Sequence, residues 1–242
     1  MKQRFRARSH RGRAVALVFA LLAMPSLFAK GNPKISVADD PSTKEGTPSL
    51  VFIEVSDFEC PYCGQGAFEL IPRIHEEFVK TGEVELIFLD NPLEIHPDAF
   101  RAAQAAACAG EQGKFWDMHH ELFGNQKELG PDQLPARAEA VGLDLPAFQK
   151  CLGGHKHDGA IREDIRTARN LGINGTPAYL IGRRIEGGEK VEVLEVLHSS
   201  QSWPEVEAKI KALLPAKPPP PPPPPPKSTS PHPAPSARAA RR

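Results

Sequence analysis

Two cysteines spaced as Cys60-Pro61-Tyr62-Cys63 follow the apolar stretch Ser49 to Phe58 and precede a helical pattern. This arrangement points to thiol chemistry. A strand that delivers C-x-x-C to the first turn of a helix puts one sulfur where unpaired backbone N–H groups and the macrodipole favour an anion. The thiolate is the reactive form of cysteine, and helix N-termini lower the thiol pKa from ~8.5 to roughly 3.5–7.5. Cys60 is therefore the candidate nucleophile. Cys63, three residues on, falls on the same face of the first turn, near the ~5.5–6 Å α-carbon spacing of an unstrained disulfide. Pro61 fits the first helical position, where a missing N–H costs nothing.

Two further groups lie to either side. Glu54 sits inside Leu50-Val51-Phe52-Ile53-Glu54-Val55, whose apolar neighbours on both sides read as a fully buried strand. A carboxylate placed there suits a group that accepts or returns a proton as a disulfide opens or closes. The competing reading is a strand-edge glutamate facing water. Asn174-Gly175-Thr176-Pro177 forms a turn before the apolar strand Ala178 to Ile181. A proline is allowed at a strand's first position because it need not donate to the ladder.

The set Glu54, Cys60-Pro61-Tyr62-Cys63 and Thr176-Pro177 resembles the DsbA-like thiol:disulfide oxidoreductases of the thioredoxin superfamily, which carry a helical insertion. Asp57-Phe58-Glu59 and Gly113-Lys114-Phe115-Trp116 strengthen the resemblance, which covers roughly Ser49 to Leu214. It implies an α/β thioredoxin fold with an inserted all-helical subdomain. It also implies that Cys60 is the exposed attacking thiol, Cys63 the buried resolving thiol and Glu54 the buried proton carrier. Pro177 is then cis, and Thr176 offers its backbone to an extended substrate, with Tyr62 beside it in the binding surface. The best-known oxidases usually carry histidine between the cysteines; Tyr62 stands there as in some isomerase-type relatives. A dithiol oxidase is the leading expectation, with isomerase or reductase as the alternative and a non-enzymatic metal module well behind.

The first thirty residues contribute seven basic side chains and the segment from Pro215 onward five, neither with any acid. Between Gly31 and Leu214, 18 basic face 30 acidic residues, a body near −12 that argues against nucleic-acid binding. Lys2, Arg4, Arg6, Arg8, Arg11 and Arg13 precede an apolar run from Ala14 to Ala23, and small residues follow near Ala29. This pattern predicts a signal peptide over 1–29 and export, most simply to the periplasm, with an N-terminal membrane anchor as the alternative. The remaining divisions are an irregular lead-in at 30–48, a thioredoxin core at 49–95 and 173–214, a helical insertion at 96–172 and a basic Pro-rich tail at 215–242. The nine prolines Pro218 to Pro226 would form polyproline II, roughly 28 Å long, serving as a spacer or as a weak attachment to an anionic surface.

Cys108 and Cys151 both fall in the insertion, and in an exported protein they are expected to form a structural disulfide rather than two buried thiols. Phe115, Trp116, Met118, Leu122 and Phe123 read as a core stripe, with His119 and His120 on the same helix as structural or solvated residues. Neither that pair nor Cys151 with His155 and His157 has a convincing zinc ligand spacing, so no metal or cofactor is expected. Asp57 and Glu59 beside Cys60 should oppose its ionisation and make the protein a milder oxidant than the strongest family members, so that Glu59→Gln lowers the Cys60 pKa. The expected partners are protein substrates with thiols or disulfides and a membrane or soluble redox protein that resets the pair. The short lead-in argues for a monomer.

Overall fold

The computed structural model describes residues 31–216 apart from Asp39 and Glu186. Residues 1–29, where a signal peptide is expected, and the tail beyond Ala216 lie outside the described residues. At the centre is a six-stranded sheet in the order β1-β6-β5-β3-β4-β2. Strands β3 (Leu50–Ser56) and β4 (Val84–Asp90) are parallel, and each of their residues is buried. Such unbroken apolar runs are what a central strand covered on both faces requires. The other pairings are antiparallel: β5 (Ala178–Arg184) on β3, β6 (Lys190–His198) on β5, β1 (Lys34–Ser36) on β6 and β2 (Ser42–Thr43) on β4.

Alternation along β3 sorts its side chains between two faces. Leu50 and Phe52 join the cluster built with Ile71, Ile74, Val206 and Ile210, from α2 (Ile71–Ile74) and α8 (Trp203–Leu213). Val51, Ile53 and Val55 join Ala168 and Ile173 at the end of α7 (Asp158–Asn170). Glu54 keeps the parity of Phe52, and its partners in register are Phe88 on β4 and Tyr179 on β5.

Helix α1 (Pro61–Glu69) leads through α2 into a π-helical turn at His75–Val79. Ile71, Ile74 and Phe78 along this stretch are buried, but Phe68 is exposed and packs edge-on against His120. Helices α3 (Ala99–Gly110), α4 (Phe115–Gly124), α5 (Leu134–Ala140) and α6 (Leu145–Gly153) enclose a third cluster that reaches Phe58, Cys60 and Cys63. Within it Cys108 and Cys151 are joined at an S–S distance of 2.01 Å, tying α3 to α6. None of the helices among the described residues is long and apolar enough to cross a membrane.

Candidate active site

Cys60 is the N-cap of α1, with extended backbone (φ −72°, ψ 122°), and Pro61 opens the helix. Its sulfur faces the start of the helix and lies 3.5 Å from the carbonyl oxygen of Thr176, to which the thiol donates. The Thr176–Pro177 bond is cis. The thiol pKa is lowered from an ordinary 9.0 to about 5, first by the hydrogen bond with the Cys63 side chain, against the opposing effect of burial, and then by the Thr176 side chain and the backbone of Cys63 and Tyr62. Burial pushes the Cys63 thiol far in the opposite direction, with the charge on Cys60 adding to it and Ser56 offsetting only a little. One sulfur is thereby set up as a stable anion and leaving group, the other as a proton holder.

The attacking thiol was expected to be exposed, whereas Cys60 retains 4% of its surface and Cys63 none. The cis-proline loop covers the sulfur from one side and the helical insertion packs from the other. Pro61 and Tyr62 are the outward members of the motif, Tyr62 being 64% exposed.

Glu54 is fully buried, and the edge-strand reading is excluded. Its Oε2 lies 3.3 Å from Nε2 of His119, and its Oε1 has no hydrogen-bond partner among the described residues. His119 sits in a cage of Phe58, Phe88, Phe115, Trp116 and Phe123 rings. The structure thus gives this histidine a carboxylate partner that the sequence reading did not assign. A signal was present: His119 stands four residues from both Phe115 and Phe123 and so shares their buried face.

Other groups pin the motif from a distance. The Gln126 side-chain amide donates to the carbonyls of both Phe58 and Cys60 at 2.8 Å. Asp57 accepts from the Glu59 and Leu93 amides and faces His96 Nδ1 at 2.7 Å. Burial alone would lower the His96 pKa, but hydrogen bonding and charge from Asp57, with smaller help from Cys60 and Glu59, raise it. The Glu59 carboxylate accepts from the Asp98 amide at the start of α3. Both acids therefore hold the loop after β4, and neither is among the groups that set the Cys60 shift; the Glu59→Gln effect expected from the sequence shrinks accordingly. Tyr179 lies against α1, where Gly66 has no side chain to obstruct its hydroxyl. Cys108 and Cys151 are joined to each other, and near them His157 Nε2 meets Glu111 Oε1 at 2.6 Å.

A family model described as Thioredoxin matches residues 46–210. Oxidised BdbD of Bacillus subtilis superposes with a TM-score of 0.63 at 18% identity, over 75% of this chain and 96% of that one. The α-DsbA1 of Wolbachia pipientis superposes at 0.61 with 21% identity, over 72% and 90%. In sequence, the chain is 24% identical to the probable disulfide bond formation protein D of Bacillus anthracis, over 63% of this chain and 74% of that protein. It is also 40% identical over 147 residues to the Na(+)/H(+) antiporter NhaA 3 of Salinispora tropica, a match that covers 60% of this chain. The chain spans about a fifth of the length of that antiporter, 22%, so the likeness concerns one segment of it. With the C-x-x-C at a helix start, the cis-proline beside it and a matched span of 46–210, the chain belongs to the thioredoxin family, with the fold of the DsbA-like thiol:disulfide oxidoreductases and their inserted helices.

Proposed function

We propose that this chain is an exported thiol:disulfide oxidoreductase that works as a dithiol oxidase on protein substrates. The observation that carries the reading is the split between the two sulfurs, Cys60 ionised at the helix start and Cys63 protonated beneath it. A substrate thiolate attacks Cys60 Sγ of the oxidised pair, forming a mixed disulfide and breaking the Cys60–Cys63 bond. Cys63 leaves and takes a proton, for which Glu54 is the buried carrier, held in place by His119. A second substrate thiol loses its proton and attacks the substrate sulfur, releasing Cys60 as thiolate. The substrate has lost two electrons and two protons, and a separate redox protein must then reoxidise the pair. Thr176 and Pro177 would align an extended substrate beside Cys60, with Tyr62 as the exposed contact.

A well-stabilised Cys60 thiolate favours the reduced enzyme and so drives oxidation of the substrate. Tyr62, where oxidases usually carry histidine, supports isomerase or reductase use of the same steps as the second reading. Export is supported by the signal-like segment 1–29 and by the Cys108–Cys151 bridge, which suits an oxidising compartment. The test combines the Cys60/Cys63 reduction potential, by glutathione titration, with oxidative refolding of a reduced substrate. A potential between about −180 and −120 mV, together with refolding turnover, is expected. A potential near −270 mV would overturn the oxidase direction in favour of reduction.

A further inference from the structure

A groove of about 830 Å³ runs along the flank of the redox centre, and no step above uses it. One wall is the loop between β4 and α3, which presents Ile95 with 78% of its surface exposed. The other wall is one face of α7, where Arg162, Ile165, Arg166 and Arg169 recur at i, i+3, i+4 and i+7. The three guanidinium-bearing residues are exposed, and Ile165 is half-buried between them. Arg162 lies over the Phe100 ring at 4.9 Å, which leaves its outer N–H groups available, and Arg166 pairs with Glu163 on its own helix. Arg169 makes no ion pair among the described residues. Glu94 is the lone acid among the groove's lining residues. This basic face stands on a body that carries 30 acids against 18 bases.

Each wall of the groove carries a residue close to the reacting sulfur. His96, on the loop wall, is close enough to Cys60 for the thiolate to raise its pKa. Asn174, at the foot of the other wall, stands two residues before Thr176, whose carbonyl meets the Cys60 thiol. An extended chain held at Thr176 with its cysteine on Cys60 must leave the site past these walls on one flank.

We propose that the groove receives the segment of a protein substrate flanking its reactive cysteine, and that it selects segments combining acidic with apolar side chains. The assignment rests on the oxidoreductase reading and adds a substrate class to it. Apolar side chains cover Ile95 and Ile165, and carboxylates meet the α7 arginines, whose planar forks match them. Salt largely screens charges lying beyond about 8–10 Å, so acids elsewhere on the body act weakly at the groove and the α7 arginines set the sign of the field there. Placement of opposite charges across an interface sets partner choice and association rate more than affinity.

The experiment measures second-order oxidation of two reduced dicysteine peptides by the oxidised protein. The peptides are identical except that Asp and Glu flank the cysteines in one and Lys in the other. Each rate is divided by the same enzyme's rate with dithiothreitol. The expected result is about tenfold or greater preference for the acidic peptide at about 0.1 M salt, where the Debye length of about 10 Å mutes the distant acids, and loss of that preference at about 1 M, where it shrinks to about 3 Å. In Arg162→Glu/Arg169→Glu the preference reverses or disappears, and in the milder Arg162→Gln/Arg169→Gln it is intermediate. Equal normalised rates for the two peptides, or a preference that survives both variants, overturns the groove assignment alone. Failure to oxidise dithiothreitol overturns the oxidoreductase reading, and this inference with it.

Discussion

At the scale of single residues, the chemistry depends on how far two neighbouring thiols are driven apart. Cys60 titrates at about 5 because the Cys63 thiol, the Thr176 side chain and the first-turn backbone stabilise its anion, while buried Cys63 stays protonated far above that. Iodoacetamide alkylation of the reduced protein should therefore reach its plateau rate above about pH 6, with its midpoint near pH 5 and Cys63 unreactive in the folded chain. A midpoint near pH 8.5 would remove the thiolate from the mechanism. The folded pKa lies below the unfolded 9.0, so Cys60 stabilises the reduced fold fully above that value and loses its contribution as pH falls toward 5. Cys60, Cys63, Glu54 and the turn at Thr176-Pro177 were legible in the sequence because each belongs to a short segment whose spacing implies its geometry. The His119–Glu54 contact spans 65 residues and Gln126–Cys60 spans 66, so no local pattern announces either. Only the position of His119 on an apolar stripe hinted at burial, and that stripe does not name the partner.

At the scale of elements, α1 packs against β5, with Gly66 next to Tyr179, while Cys63 on the same helix is fully buried. Gly66 and Tyr179 decide how closely. A glycine inside a helix costs about 0.8–1 kcal/mol relative to alanine, so Gly66→Ala would normally be stabilising. Here an added methyl would meet the Tyr179 hydroxyl head-on, and the ring is fully buried and stacked on Phe52 at 5.5 Å, so it cannot swing aside. Gly66→Ala is expected to destabilise by about 1–3 kcal/mol in urea unfolding, the usual cost of overpacking. Adding Tyr179→Phe, which removes the obstructing oxygen, should recover most of that loss; failure to recover would show that the helix–strand spacing is set elsewhere. The main helices and the strands β3, β4 and β5 could be read from periodicity, because each is long enough to show it. Strand β2 is two residues long, and the half-buried pattern of β6 is diluted by Glu192 and Glu195, so neither shows a clear period. The π-helical turn at His75–Val79 was not legible, because a one-residue change of winding leaves the apolar spacing almost intact.

At the scale of the molecule, the acidic balance of the body has a buried counterpart. Asp90 at the end of β4 and Asp164 on α7 face each other and Asp40 of the lead-in, so three parts of the fold converge on carboxylates. The Asp90 amide donates to Asp164 Oδ2 at 3.2 Å, which ties sheet to helix. Burial, reinforced by the neighbouring acids, raises Asp90 to about 8 and Asp164 to about 10 from an ordinary 3.8. Because these folded pKa values lie above the unfolded ones, the native state holds protons that the unfolded chain releases, and stability falls as pH rises from about 4 toward 8–10. Asp164→Asn keeps an acceptor for the Asp90 amide and is neutral in both states, so the folded chain no longer has to hold a proton there that the unfolded chain releases. Asp164 is only partly exposed, and solvent screening trims the gain to about 1–3 kcal/mol at pH 8. The difference between variant and parent in urea unfolding should vanish by about pH 3, where the unfolded carboxylates are largely protonated too, and grow steadily above it. A variant that is less stable at pH 8, or shifted equally at both pH values, would show that the carboxylate is valued for its hydrogen bond and that its charge is already compensated.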